Sequence, residues 1–155
     1  MLYRPYTPLD FDALYALEEL CFAPPVRYSR RYIRLLVSRL NAATWIAEED
    51  GRLTGFAIVV WAERKNGVTA YIQTIEVAPE ARGRGVGREL LGRIEGSARL
   101  AGNCLIWLHV DVTNAGAIRL YEAHGYHCEG REENYYPRGR AAFIYAKRLD
   151  SGTAS

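Results

Sequence analysis

Residues 77–87 read Val-Ala-Pro-Glu-Ala-Arg-Gly-Arg-Gly-Val-Gly. This stretch follows a β-branched apolar run and precedes a helical pattern, so it connects a strand to a helix. Glycines permit positive φ and close approach to a ligand, and the first N–H groups of a helix lack partners within the helix. With the helix dipole, these features form an anion-binding turn. Arg82, Arg84 and Arg88 add positive charge beside it.

Two familiar phosphate-binding loops do not match this turn. The Gly-Lys-Ser/Thr of a P-loop is absent, and Arg88 stands where a dinucleotide fingerprint has its last glycine. A nucleotidase or a dehydrogenase is therefore disfavoured. On the residues alone, a glycine-rich connection that binds nothing remains an equal alternative.

The segment before this turn predicts two helices. The first is capped by Thr7, carries Pro8 at its first position and extends to about Leu20. Ser29 caps the second, whose apolar residues share one face at spacings of three and four: Ile33, Leu36, Val37 and Leu40.

A meander of three strands follows these helices. The strands are predicted over Thr44–Glu48, Leu53–Trp61 and Val68–Val77, with turns at residues 49–52 and at Asn66-Gly67.

The segment after the turn predicts a helix from Gly85 to about Leu100, with Val86, Leu90, Ile94 and Ala98 on one stripe. The continuous apolar run Cys104–Val110 predicts a strand buried on both faces. A short helix over Asn114–His124 and strands over Tyr126–Gly130 and Ala141–Leu149 complete the chain. The order βααβββαβαββ predicts an α+β, or mixed α/β, fold with a parallel crossover in a six- to seven-stranded sheet beside four helices.

The composition fits one globular domain. Of 155 residues, 49% are hydrophobic and 25% charged, which excludes a disordered or fibrous chain. We expect one domain over residues 1–149 and a polar tail over residues 150–155. The longest apolar stretches are far shorter than the ~20 residues of a membrane span, and no secretion signal is apparent, so we expect a cytoplasmic protein.

Charge and cysteine content limit the possible partners. A net charge of +2 argues against binding nucleic acid or a membrane surface. Cys21, Cys104 and Cys128 lie in apolar or strand-like runs, so we expect buried thiols rather than disulfides or metal ligands. His124 and His127 lack metal-ligand spacing, and no metal site is expected.

Three motifs resemble one family. The segment Arg82–Gly87 resembles the Arg/Gln-x-x-Gly-x-Gly/Ala signature of the GCN5-related N-acetyltransferases, or GNAT family, and the element order is similar to that fold over essentially the whole chain. Asn114–Tyr126 is similar to the family's Asn-x-x-Ala-x-x-x-Tyr-x-x-x-Gly-Phe/Tyr stretch. Asn134-Tyr135-Tyr136-Pro137 resembles the loop of members that acetylate protein N-termini.

The resemblance implies direct transfer of an acetyl group from acetyl-coenzyme A to an amine. It implies a thioester oxygen near the N–H of Val77, Asn114 as helix cap and coenzyme contact, and Tyr121 as the general acid that also contacts the coenzyme. It assigns the pyrophosphate to the backbone N–H groups of Arg82, Gly83, Arg84, Gly85, Val86, Gly87 and Arg88.

The strand Leu108-His109-Val110 lacks the glutamate that bacterial ribosomal-protein enzymes of the family carry there. It resembles instead the NatE and NatF type of N-terminal acetyltransferase, which implies His109 as the base, paired with Tyr71. An imidazole suits an α-amine, whose ordinary pKa is ~7.7–8.0, better than a lysine at ~10.4. A structural histidine is the alternative. Glu76 is a rival base, ranked second because regular alternation places it on the strand face opposite Tyr71.

Two loops are candidates for the peptide site. Phe22–Tyr28 is similar to the Phe-Pro-Val-x-Tyr segment that lines the first-residue pocket of NatE-type enzymes: Pro25, Val26 and Tyr28 match, whereas Pro24 replaces the aromatic residue, so a Met-first preference is not predicted. Tyr135 and Tyr136 would close over the peptide.

The expected substrate is a protein or peptide N-terminus, and the enzyme is expected to be a monomer or homodimer. The alternatives are a small-molecule amine acetyltransferase of the same fold and a non-catalytic acyl-coenzyme A sensor.

Overall fold

The computed structural model describes residues 1–62 and 69–149. Within them the chain forms seven strands and four α-helices in the predicted order. The turn at Asn66-Gly67, the predicted strand residue Val68 and the tail over residues 150–155 lie outside the described residues. The elements are β1 Leu2–Pro5, α1 Phe11–Cys21, α2 Arg30–Val37, β2 Ala42–Glu49, β3 Arg52–Trp61, β4 Thr69–Val77, α3 Val86–Leu100, β5 Leu105–Asp111, α4 Ala115–Ala123, β6 His127–Glu132 and β7 Ala142–Arg148.

The strands form one sheet with the order β1-β2-β3-β4-β5-β7-β6. β4 and β5 run parallel, joined through α3, and the other neighbouring strands described here run antiparallel. The predicted parallel crossover is therefore confirmed. β4 and β5 pair from Thr69 and Leu105 only as far as Tyr71 and Trp107, and beyond this pair they separate. An opening thus forms in the middle of the sheet.

The helix starts and the first hairpin follow the predicted local signals. Thr7 and Asp10 form a capping box at a 3-10 turn that leads into α1, and the Ser29 side chain accepts a hydrogen bond from the Tyr32 N–H at the start of α2. Asp50 and Gly51 make the β2–β3 turn with φ of 52° and 76°, which is typical of a two-residue hairpin.

The core has two layers, one on each face of the sheet. Val86, Leu90, Ile94 and Ala98 of α3 are buried on one face, as predicted. On the other face, α1 and α2 pack against apolar residues of β2 and β3. Ile33 and Leu36 are the buried residues of α2 there. Leu40 was predicted to continue this α2 face, but the helix ends at Val37 and the Leu40 side chain is 95% exposed.

Two burial predictions are wrong, that for β5 and that for the cysteines. β5 is not buried on both faces: Ile106, Leu108 and Val110 are buried, whereas Trp107 and His109 are half-buried. The physical reason is that α1 and α2 pack mainly over β2, β3 and β4, so β5 lies beyond the helices that cover this face of the sheet.

The cysteines are free, but they are not buried. Cys104 and Cys128 are exposed and Cys21 is half-buried. Cys104 precedes β5 rather than lying in it. Cys128 lies in β6, which is an edge strand of the sheet.

No helix among the described residues combines the length and the apolar character needed to cross a membrane.

We predict that Gly55→Ala destabilises the fold. A Cβ at Gly55 would lie 2.9 Å from the Glu76 carbonyl oxygen and 3.2 Å from Leu90 Cδ1, so backbone and α3 must shift, which costs about 1–3 kcal/mol. Gly96→Ala, at a helix position with open space, should instead stabilise the protein by about 0.5–1 kcal/mol. Urea denaturation of both variants tests this; equal midpoints would contradict it.

Candidate active site

The separation of β4 and β5 opens a cleft of about 1010 Å³. The α1–α2 loop, β4, β5, α4 and the β6–β7 loop form its walls. Eight predicted site residues line it: Pro25, Val26, Tyr28, His109, Asn114, Tyr121, Tyr135 and Tyr136. We call this space the β4–β5 cleft.

The glycine-rich turn lies at the end of β4, outside the lining of the cleft. Gly83 and Gly85 have φ of 76° and 81°, a conformation that glycine adopts without strain. The Glu89 N–H donates to the Gly85 carbonyl, so the N–H groups at the first three positions of α3 have no partner within the helix. The turn therefore has the free N–H groups at a helix start that an anion site uses.

Two of the three arginines at this turn are engaged with the protein itself. Arg82 Nε donates to the Val77 carbonyl at 3.0 Å. Arg84 pairs with Glu49, and its hydrogen bonds hold the pKa of the Glu49 carboxyl below its usual range. Glu49 therefore offsets the charge of Arg84, whereas the hydrogen bond of Arg82 to a neutral carbonyl fixes the position of its guanidinium without removing its charge.

Aromatic side chains surround His109 at the point where the strands separate. His109 Nδ1 lies 2.8 Å from Tyr71 Oη, and the Tyr135 ring stacks on the imidazole at 4.0 Å with an interplanar angle of 13°. Tyr71 Oη is also 3.4 Å from Tyr135 Oη. Burial raises the pKa of Tyr71, so the phenol keeps its proton. The structure thus brings Tyr71, His109 and Tyr135, predicted from three separate segments, into one cluster.

Two further side chains complete the cluster around His109, and the sequence analysis did not identify them. Glu132 Oε1, at the end of β6, lies 3.2 Å from His109 Nε2. The Trp107 ring packs edge-on against Tyr71 and His109, with centroid separations of 4.6 and 5.3 Å. Trp107 could have been found from its place two residues before His109 on a strand, but nothing in the sequence pairs Glu132 with His109.

The predicted position of Glu76 is wrong. β4 shifts its register between Ile72 and Thr74, which leaves Gln73 as a bulged residue and reverses the alternation beyond it. Glu76 pairs with Phe56 and Tyr71 with Val60, so both side chains lie on the same face of the sheet.

The Glu76 carboxyl is buried against a second carboxyl. It is 3% exposed, its Oε2 accepts a hydrogen bond from Thr74 Oγ1 at 2.8 Å, and its Oε1 has no partner. Burial, reinforced by the neighbouring carboxyl of Glu18, raises the pKa of Glu76 to about 10. Glu76 therefore holds a proton at neutral pH.

Glu18 connects this carboxyl pair to the α1–α2 loop. Its Oε2 accepts a hydrogen bond from the Tyr28 N–H at 3.0 Å, while Gln73 Nε2 donates to Tyr28 Oη at 2.9 Å. Burial raises the pKa of Tyr28 to about 12. The loop wall with Pro25 and Val26 is thus held to α1 through Glu18 and to β4 through Gln73. Neither Glu18 nor Gln73 was identified from the sequence, because their partners are distant along the chain.

α4 places the last two predicted residues. The Asn114 side chain accepts a hydrogen bond from the Ala117 N–H at 3.1 Å, which confirms its role as helix cap. Tyr121, about two helical turns after Asn114, is 7% exposed, and burial raises its pKa. It is a protonated phenol at the wall of the cleft.

Comparisons with known proteins agree with this geometry. The model of the acetyltransferase (GNAT) family matches residues 11–126. An uncharacterized N-acetyltransferase of Methanocaldococcus jannaschii is 31% identical over 151 residues, covering 96% of this chain and 92% of that protein. The N-alpha-acetyltransferase RimI of Mycobacterium tuberculosis is 34% identical over 109 residues, covering 70% of this chain and 66% of that protein. The crystal structure of the ribosomal-protein-S18-alanine N-acetyltransferase from Escherichia coli superposes with a TM-score of 0.84 at 25% identity, covering 96% of this chain and 94% of that one.

We predict that Glu76 makes stability fall with pH. In the unfolded chain this carboxyl loses its proton near its ordinary value of 4.5, but in the folded protein only near 10. Between these values the folded state binds one more proton, so its stability declines by up to about 1.4 kcal/mol per pH unit. Glu76→Gln, which cannot ionise, should lose this slope.

Urea denaturation between pH 6 and pH 9 measures the effect. The advantage of Glu76→Gln over the wild type should grow as the pH rises, whereas Glu80→Gln, an exposed carboxyl nearby, should follow the wild type. Parallel curves for wild type and Glu76→Gln would contradict the raised pKa.

Proposed function

Since the chain belongs to the acetyltransferase (GNAT) family, we propose that it acetylates the α-amine of protein or peptide N-termini. As a member of that family it has the mixed α/β GNAT fold and is an acetyl-coenzyme A-dependent N-acetyltransferase. The substrate class and the roles of individual residues are the proposed part.

One observation carries the proposal: the cluster of Tyr71, His109 and Tyr135 at the point where β4 and β5 separate. A base at that point meets an amine arriving from the cleft, and the aromatic rings around it give a peptide backbone apolar area and hydroxyl groups. Two relatives support the substrate class by their names, an N-alpha-acetyltransferase and a ribosomal-protein-S18-alanine N-acetyltransferase.

The chain supplies binding and proton transfer, and acetyl-coenzyme A supplies an electrophilic acyl carbon on a thiol leaving group. The N–H groups from Arg82 to Arg88 would bind the pyrophosphate, and the N–H near Val77 would stabilise charge on the acyl oxygen. Asn114 would contact the coenzyme from the start of α4. These contacts aim the acyl group at the cleft.

The proton of the attacking amine passes to the Tyr71–His109 pair. Tyr71 keeps its own proton at neutral pH, so it serves as the link through which the lone pair of His109 receives a proton. Glu76, the rival base, is buried and protonated, which supports its second rank. Tyr121 would donate a proton to the departing thiolate, and burial keeps that phenol protonated.

The α1–α2 loop would receive the side chain of the first substrate residue. Pro25, Val26 and Tyr28 line that wall of the cleft, and Tyr135 and Tyr136 face them from the β6–β7 loop. The hydrogen bonds that hold Tyr28 to Glu18 and Gln73 would keep this wall in place.

Acetyl transfer to a panel of peptides tests the proposed substrate class. The peptides differ in their first two residues, and an N-terminally blocked lysine peptide and spermidine serve as controls. We expect at least one free N-terminus to give a kcat/KM at least about tenfold above both controls, because its amine loses a proton more easily. A preference for spermidine or for the blocked lysine peptide would contradict an N-terminal substrate.

We predict that Tyr121→Phe lowers kcat by more than about tenfold while the affinity for coenzyme A changes little, because the phenyl ring keeps the packing but cannot donate a proton. Initial rates and calorimetry separate the two quantities. Tyr145→Phe is the matched control, since that buried tyrosine bonds to Glu122 instead. Similar kcat values for Tyr121→Phe and the wild type would remove Tyr121 from the mechanism.

A further inference from the structure

The carboxylate of Glu132 faces the nitrogen of His109 that points away from Tyr71. Nε2 lies 3.2 Å from Glu132 Oε1, while Nδ1 lies 2.8 Å from Tyr71 Oη. The two ring nitrogens of the proposed base therefore have different partners, one a carboxylate and one a phenol.

The sheet register places Glu132 there. Asp111, Ala142 and Glu132 form one row across β5, β7 and β6, so Glu132 shares a face with His109, two residues before Asp111. Ala142 stands between Asp111 and Glu132 in that row. Its small methyl group leaves room for the Glu132 side chain to reach the imidazole.

The partners determine which nitrogen carries the hydrogen. An ionised carboxylate only accepts hydrogen bonds, so Nε2 must donate to Glu132. A neutral imidazole has one N–H, and Nδ1 is then left with a lone pair that accepts from the Tyr71 hydroxyl. The opposite tautomer would leave no donor between Nε2 and Glu132, whereas the Tyr71 oxygen can accept as well as donate, so the carboxylate selects the tautomer.

We propose that Glu132 is a positioning residue that holds His109 in the tautomer with its hydrogen on Nε2, so that Nδ1 can accept a proton through Tyr71. The inference rests on the base role of His109 in the proposed function. When the amine gives up its proton, the Tyr71 hydroxyl hydrogen passes to Nδ1 as the amine proton replaces it on the phenol oxygen. The imidazolium that results carries hydrogens on both nitrogens, and Glu132 faces its positive charge.

The surroundings show that Glu132 is the available carboxylate for this role. Asp111, on the same strand as His109, is paired with Arg140 at 2.7 Å. Three aromatic rings also pack around the imidazole: Tyr71, Trp107 and Tyr135. The Glu132 side chain is 49% exposed, and an ion pair at such exposure adds little to stability, so its removal separates positioning from folding.

The experiment compares Glu132→Gln with Glu133→Gln, a neighbouring exposed carboxyl that pairs with Arg131. Long-range ¹H–¹⁵N correlation spectra of histidine-labelled protein at pH 8 report the tautomer, and the loss of signals in His109→Ala assigns them. The wild type should show a protonated Nε2 and an unprotonated Nδ1. In Glu132→Gln the two ¹⁵N signals should move towards each other, because an amide both donates and accepts and no longer selects one tautomer.

Kinetics supply the second measurement, with whichever amine of the peptide panel and its controls reacts fastest. For Glu132→Gln, kcat should fall at least about tenfold while KM stays within about twofold, and Glu133→Gln should match the wild type in rate and spectrum. A wild-type hydrogen on Nδ1, or a change in only one of spectrum and kcat, would overturn the inference. The spectra need no substrate, so they judge Glu132 even where the peptide assay refutes the proposed function.

Discussion

The short pairing between β4 and β5 is the constraint on which the rest of the site depends. The parallel ladder ends at Tyr71 and Trp107, although β4 continues to Val77 and β5 to Asp111. Beyond that point the facing N–H and C=O groups of the two strands do not hydrogen-bond to each other. Buried backbone groups require hydrogen-bond partners. A ligand chain that carries amides is the kind of occupant that can satisfy them. His109 lines the cleft that this separation opens.

Two irregularities of the sheet determine which side chains face that opening. The bulge at Gln73 places Tyr71 and Glu76 on one face, although Glu76 lies five positions after Tyr71 along the strand. A second register shift, between Cys128 and Gly130, precedes the segment of β6 that presents Glu132. A bulge next to an active site reorients a side chain without changing the strand as a whole. The bulge at Gln73 thus brings Glu76 to the face of Tyr71, while the row of Asp111, Ala142 and Glu132 brings the Glu132 carboxylate to the face of His109.

The order of elements could be predicted from the sequence because local signals specify it: caps at Thr7 and Ser29, the Asp50-Gly51 turn, and the stripe of α3. The contacts of the site depend on registers between strands, and periodicity along one strand carries no information about those. This is why Glu76 was placed on the wrong face and why Glu18, Gln73 and Glu132 were missed. Leu40 and the burial of β5 failed for a related reason, because tertiary packing rather than apolar character decides where burial ends.

Several carboxyls in and near the core already have partners within the protein. Glu95 is buried, but Tyr126 Oη donates to it at 2.6 Å and Lys147 Nζ lies 3.1 Å away. Glu76 faces Glu18 instead and keeps its proton, so this pair carries at most one negative charge. Nearer the mouth, Asp111 is paired with Arg140 and Glu132 faces His109. An amine attacks through its lone pair and so has to lose its proton first, and ordinary pKa values make that about 3.3–3.7 kcal/mol easier for an α-amine than for a lysine side chain. This difference favours the N-terminus as the acceptor without any contact to the rest of the substrate.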